Sequence, residues 1–362
     1  MGSAVENAID RALSRGEVGL QVAAYHRGEL VVDISAGQAG EDRGEVDSGT
    51  IFWVASAGKV STATALHVQV ERGLLDYGQT IVSIWPEFGA HGKESLTVRD
   101  ALTHRVGLPD LPSDATPELL GDWEWMVERL ARSAPSDDPA HRNTYHARTW
   151  GYIVGEIARR VDPVGRSFED LVREEVHAPL GITEIWHRLP ESVQPDAAVV
   201  KGEILGGEFT VTADHEINTA AYRDRIDPSG AWVTARAAAR LWALYAQGGE
   251  LDGGRLVPAD RIETFLAPRA CAFPAGAIAG PRAVIGMGGL MVGGAVTACD
   301  ELLGFRGNRV LWHPGAGGAL GFADLDAELA VMICHNEFFD ERPHPQHPFA
   351  SLVRAVYADI AG

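Results

Sequence analysis

Lysine is the scarcest charged residue in this chain. Its 362 residues include three, Lys59, Lys93 and Lys201, against twenty-eight arginines. Arginine stays protonated in proteins, whereas burial can make a lysine neutral. A lysine kept against that habit therefore marks a position where an amine matters. Cysteine is equally rare: Cys271, Cys299 and Cys334 are odd in number, widely spaced and form no Cys-x-x-Cys pair. That argues against a disulfide framework or a thiolate metal site, and the three are expected as reduced core residues. No apolar run approaches the roughly 20 residues that cross a bilayer. The start, "MGSAVENAIDRALSRG", lacks the basic and then apolar pattern of a secretory leader, so a cytoplasmic protein is expected. Excess positive charge is also missing. Lys and Arg total 31 and Asp and Glu 50, for a net charge of -19. Such a surface repels nucleic acid and anionic membranes, and neither is expected as a partner. There is no Gly-x-Ser-x-Gly elbow, P-loop or dinucleotide fingerprint, and no cofactor or metal is expected.

What is present is pattern. "VENAIDRALSRG" reads as an amphipathic helix stopped at Gly16. "GLQVAAYHRGELVVDISAG" alternates, with Leu20, Val22 and Ala24 on one face, Leu30, Val32 and Ile34 on another, and Gly28 in the turn: a β-hairpin. Helical spacing follows. Ala63, Leu66 and Val70 precede a stop at Gly73. A second helix is expected from Pro117, capped by Thr116, with Leu119, Leu120, Trp123, Val127 and Leu130 as its buried stripe. Trp125 lies off that stripe and is a candidate to line a pocket. Trp150, Ile153, Val154, Ile157, Ala158 and Val161 mark a third helix, and a fourth runs from about Thr234 to Gly248-Gly249. Beyond about residue 284 the period returns to two in "NRVLWHP", "GALGFADL" and "AELAVMICHN", before a closing helix in "HPFASLVRAVYADI". Strands at both ends with helices between predict an α+β fold, an antiparallel sheet built from both termini and flanked by helices, with a mostly helical lobe inserted. One domain over 1–362 is expected, its sheet lobe about 1–75 and 230–362 and its helical lobe about 76–229.

The first lysine stands in "FWVASAGKVSTATALHVQVERGLL", three residues after Ser56. On a helix that spacing puts Ser56 and Lys59 on one face. Free N–H groups and the dipole of a first turn favour negative charge developing at the serine. A serine hydroxyl is a poor nucleophile until its proton is taken, which a desolvated lysine can do and an arginine cannot. Alone the motif is weak, since it arises by chance in about one such chain in eight. Two further segments strengthen it. Tyr145 in "NTYHARTWGYIVGEI" precedes a helix, and a phenol beside an amine can relay protons. "LWHPGAGGALGFADL" runs a strand into Gly315 and a glycine-rich turn, which can aim a backbone N–H at an oxyanion. Elsewhere, His104 in "THRVGL" is expected to end a helix as an imidazolium suited to the dipole. His335, Glu337, Asp340, His344 and His347 in "HNEFFDERPHPQHP" lack ligand spacing and read as a solvated loop rather than a metal site.

In order and spacing these segments resemble the serine β-lactamase and penicillin-binding-protein superfamily, in particular its class C-like esterases and acyltransferases. Its Ser-x-x-Lys appears as "SAGK", its Tyr-x-Asn as "YHA" from Tyr145 to Ala147, and its Lys-Thr-Gly as "HPG" from His313 to Gly315. "LTHRVGLP", "PSGAWVTARAAARL" and "HPGAGGALGFAD" look similar too, so the likeness covers about residues 15–340. The resemblance implies a β-lactamase-like fold, Ser56 as an acylated nucleophile, and Lys59 with Tyr145 as the proton-transfer pair. It also implies an oxyanion hole from the N–H groups of Ser56 and Ala316, and substrate contacts at Ala147, Trp312, His313 and Gly315. Two departures stand out: alanine replaces the asparagine of the second motif, and His313 the lysine of the third. Both weaken the case for a β-lactamase or D-amino-acid peptidase, while ester chemistry needs neither. A serine esterase acting on a small-molecule ester is the leading expectation, then an acyltransferase with an amine or alcohol acceptor. A non-catalytic binding module on the same scaffold would form no covalent adduct.

Overall fold

Two alternating segments from opposite ends of the chain meet in the middle of one sheet. Strand Gly19–His26 pairs antiparallel with Leu329–His335, Leu20 facing His335 and Tyr25 facing Ala330, and on its other side with Glu29–Gly40. The structure, a computed structural model, describes residues 2–136, 138–204, 209–269, 284–293, 303–338 and 348–361. Among the described residues the sheet has nine strands: Pro268–Arg269, Val284–Gly286, Met291–Gly293, Val310–Pro314, Leu320–Asp324, Leu329–His335, Gly19–His26, Glu29–Gly40 and Gly44–Glu45. All neighbours in it are antiparallel.

The period of two sorts side chains between two cores. Leu20, Val22 and Ala24 pack with α1 (Ala4–Leu13) and the C-terminal helix Pro348–Ala361; Ala23 and Tyr25 turn to the opposite core, with Leu241 and Trp242 of helix Ala235–Ala246. Burying a leucine or valine such as Leu20, Val22 or Leu241 stabilises by about 1.5–3 kcal/mol. The chain ends are tied by hydrogen bonds as well: Asp359 accepts the N–H groups of Ala4 and Val5 at 2.8 and 3.0 Å, satisfying donors that a first turn leaves free.

Helices fill the middle around α2 (Lys59–Glu71), buried on every side from Lys59 to Val70. Against it packs α5 (Thr149–Arg160), flanked by α3 (Val98–Leu102) and α4 (Trp123–Arg132). The helix expected from Pro117 begins six residues later, at Trp123. Gly121 interrupts the run, and Asp122 accepts the Trp125 N–H at 3.0 Å as the true cap. Nor is the middle wholly helical. Ile185–Trp186 and Phe52–Trp53 both pair with Trp232–Val233, and Lys201–Ile204 pairs with Glu337–Phe338. These short ladders stitch the middle to the segments carrying Ser56 and following His335.

Cys334 is buried with a free thiol; Cys271 and Cys299 lie outside the described residues. His335 departs from the solvated loop expected for it: it is buried on its strand, with Nδ1 3.2 Å from Glu17. Asp340, His344 and His347 lie outside the described residues. No described helix is long and apolar enough to cross a membrane.

Candidate active site

The turn that presents Ser56 is strained. Strand Phe52–Trp53 ends with the Val54 N–H on Ala231 O at 3.0 Å; Ala55 then adopts a left-handed φ of 43° and starts a single 3-10 turn, Ala55–Gly58, that leads into α2. A non-glycine residue in that region costs on the order of 1–3 kcal/mol, held here by the surrounding structure. Gly58 lets the turn press on the loop 228–231, because a Cβ there would meet Gly230 C at 2.5 Å and Ala231 N at 2.6 Å. From the other side Gly151 of α5 does the same, a Cβ meeting Pro228 C at 2.4 Å. The Thr62 hydroxyl donates to Pro228 O at 2.6 Å. The loop is thus clamped between two helices.

Lys59 is 0% exposed, and its Nζ sits 3.0 Å from Ser56 Oγ, 2.7 Å from Ala147 O and 3.3 Å from Ser229 O. Burial pulls its pKa down to about 7, with Asp227 pulling back and Arg148 adding to the fall. Its Nζ lies 5.2 Å from the Tyr145 ring centroid. Tyr145 is half-buried between His104, at 4.8 Å between centroids, and His313, at 6.1 Å. His313 is fully buried; its Nδ1–H donates to Pro314 O at 2.7 Å, leaving the Nε2 lone pair without a partner among the described residues. Burial, then Lys59, pushes its pKa down to about 3, so it is neutral and brings no charge to the third motif.

Gly315 sits where a Cβ would be 2.1 Å from Val54 O, and this close approach brings Ala316 beside Ser56. No described residue accepts a hydrogen bond from the N–H of Ser56 or of Ala316. Ser56, Ala147 and Ala316 line a cavity of about 310 Å³. Its walls include Trp53, Tyr222 and Phe338, with Trp53 5.9 Å from Phe338 and 6.4 Å from Tyr222 between centroids. Arg148 and Asp227 line it too, without an ion pair between them.

The other expected positions fall elsewhere. Trp312 neighbours His313 but points to the opposite core, against Phe305, and Trp125 lies on α4 beneath the Arg129 guanidinium. Neither lines the cavity, and neither do His313 and Gly315, which were also expected to contact substrate. The expectation of a cationic His104 is overturned. It is fully buried, with a pKa well below the ordinary range, first from burial and then from His146, Lys59 and His313. Sequence reasoning did not single out Ser229, Asp227, Arg148, Trp53, Tyr222 or Phe338. "DPSGAW" carried a signal for the first two, a glycine-bounded turn; the aromatic wall comes from three distant segments and carried none.

The chain's residues 5–355 match the beta-lactamase family model. The chain belongs to the beta-lactamase family. It is accordingly an enzyme of the serine hydrolase and acyltransferase kind. It is 29% identical over 350 residues to the esterase/beta-lactamase LipL of Mycobacterium tuberculosis (strain ATCC 25618 / H37Rv), covering 87% of this chain and 76% of that one. Among solved structures it is similar to a family VIII carboxylesterase (28% identity, 98% and 96% of the two chains, TM-score 0.86). It is similar also to a penicillin-binding-protein homologue from Caulobacter crescentus (29%, 98% and 96%, TM-score 0.82). A third likeness is to EstA from Arthrobacter nitroguajacolicus Rue61a (25%, 99% and 96%, TM-score 0.80).

Proposed function

We propose that this beta-lactamase family member is a cofactor-free carboxylesterase working through an acyl-Ser56 intermediate, within one catalytic domain over residues 1–362. The observation that carries the reading is the surroundings of Lys59. A neutral amine has two N–H donors and one lone pair. Ala147 O and Ser229 O take the donors, and the lone pair is left for the Ser56 O–H at 3.0 Å. The Ser56 proton passes to Nζ as Oγ bonds to the ester carbonyl carbon. The N–H groups of Ser56 and Ala316 hold the oxyanion, a contribution of about 3–4 kcal/mol per donor. Collapse breaks the bond to the alkoxide, which leaves as the alcohol with the proton relayed through Tyr145 and Lys59. Water then gives its proton to the same pair and attacks the acyl carbon, releasing the acid and restoring Ser56.

Ester rather than β-lactam or peptide substrates are favoured by the two departures. At position 147 only a backbone carbonyl meets Lys59, and at 313 a neutral imidazole replaces an ammonium. The aromatic wall of Trp53, Tyr222 and Phe338 suits an apolar acyl or alcohol group. That same wall supports a second reading, transfer of the acyl group to an amine or alcohol acceptor stacked there in place of water. The relatives named esterase and carboxylesterase favour the first reading. A cytoplasmic setting accords with the free thiol of Cys334. The test is intact mass after mixing with a fluorophosphonate or a short activated ester. One adduct on Ser56 is expected, absent in Ser56→Ala; no adduct on the wild-type chain refutes the reading. Added acceptors that speed turnover and yield a new ester or amide would instead favour transfer.

A further inference from the structure

Two of the groups around Lys59, the Tyr145 ring and the Ala147 carbonyl, come from one short stretch ahead of α5. The amide between them is the His146 N–H, and its acceptor is His104 Nδ1, at 3.0 Å. The neighbouring contacts bind the same two stretches. The Thr144 N–H donates to His104 O at 3.2 Å, Asn143 Nδ2 to Thr103 O at 2.5 Å, and the Leu108 N–H to His146 Nε2 at 2.9 Å. His104 is itself rigidly held. It is fully buried with a left-handed φ of 57°, and its ring stacks on Trp150 at 5.6 Å and 17°.

We infer that His104 is a positioning residue, whose Nδ1 lone pair fixes the backbone that delivers Tyr145 and the Ala147 carbonyl to Lys59. The inference rests on the proton-transfer roles proposed above. Because Nδ1 accepts, the ring carries its single proton on Nε2. Protonating Nδ1 would turn the acceptor into a donor facing the His146 N–H. Burial, with His146, Lys59 and His313 nearby and the Tyr145 ring against it, keeps the imidazole neutral. This is why a histidine, neutral and planar, fits here: it stacks on Trp150 while its edge accepts a hydrogen bond. A lone pair set at the edge of a buried ring holds an amide within a few tenths of an ångström, and misplacing a reacting group by about 1 Å can cost 10²-fold in rate.

Two variants separate the acceptor from the ring. His104→Asn keeps an acceptor at the Nδ1 position and tolerates a left-handed φ; His104→Phe keeps the stack and deletes the acceptor. Active sites are counted by labelling Ser56 with a fluorophosphonate carried to completion, and the acylation rate with an activated ester is expressed per active site. A histidine that only supports folding would lower the number of active sites and leave that rate alone. The expected result is a His104→Phe rate at least thirtyfold below wild type per active site, with His104→Asn at least tenfold faster than His104→Phe. A His104→Phe rate within threefold of wild type, or a His104→Asn rate no faster than that of His104→Phe, overturns the inference. A wild-type chain that takes no fluorophosphonate on Ser56 would refute the esterase reading instead, so the two failures are distinct.

Discussion

Lys59 Nζ faces Ser56 Oγ at 3.0 Å, and two carbonyl oxygens, Ala147 O and Ser229 O, lie within hydrogen-bond reach of the same nitrogen. Tetrahedral nitrogen is the common factor at both buried lysines of the chain. Lys93, also fully buried, donates to Ala90 O, Ala131 O and Ser133 O, a tripod that a planar guanidinium cannot match. Lys201 alone lies at the surface, paired with Glu41 at 2.7 Å. In a chain that otherwise uses arginine, lysine is kept where a compact nitrogen must meet oxygens from several directions.

If Lys59 takes the Ser56 proton as proposed, replacing the amine by a group that cannot lose its proton removes the base. Lys59→Arg is expected to lower kcat/KM for a short activated ester by about 10²–10⁴-fold. Near-normal turnover by a folded Lys59→Arg protein would refute deprotonation by Lys59.

Two charges in the cavity wall act on Lys59 in opposite senses. Protonated Lys59 is inactive as a base, so kcat/KM should rise with pH through the Lys59 pKa, about 7. Arg148 lowers that pKa, so Arg148→Gln raises it and moves the rise to higher pH. Asp227 raises it, so Asp227→Asn moves the rise to lower pH. Displacements of about 0.5–1 pH unit are expected. Displacements of the same sign in both variants would contradict the electrostatic account.

Gly315 has no room for a side chain. Gly315→Ala places a Cβ against Val54 O and forces the strand end from the Ser56 turn. A loss of about 1–3 kcal/mol in urea unfolding is expected, with a slower acylation per active site. Unchanged stability and acylation would show that the two segments part without consequence.

Lys93 is a purely structural counterpart. Lys93→Met leaves three carbonyl oxygens without their donor, and unfolding free energy should fall by about 2–4 kcal/mol while the acylation rate of the folded protein is kept. A change below about 0.5 kcal/mol would show that water replaces the ammonium there.

Much of this was legible because it is periodic or local. The alternation of Leu20, Val22 and Ala24 predicted the central strand, and the spacing from Trp150 to Ala158 predicted α5, because tertiary packing follows those periods. That Ser56, Lys59 and Tyr145 would lie close together was legible through order and spacing. Less legible was whatever depends on contacts distant in sequence. The clamp of Gly151 on Pro228 and Ser229 and of Gly58 on Gly230 and Ala231 brings three segments together, and each glycine alone reads as an ordinary small residue. The error at His104 has the same origin. Its helix end suggested a cation, while Trp150 and Tyr145, more than forty residues on, bury it and keep it neutral. The start of α4 was misplaced for a local reason, the stronger capping of Asp122 over Thr116.

The most direct test is the single-turnover rate of Ser56 acylation as a function of pH, followed by rapid mixing with an activated ester. A neutral Lys59 taking the Ser56 proton predicts a rise governed by one group near pH 7 that is lost in Lys59→Arg. A rate that is flat across that range, or that rises only near the ordinary pKa of lysine, would contradict it.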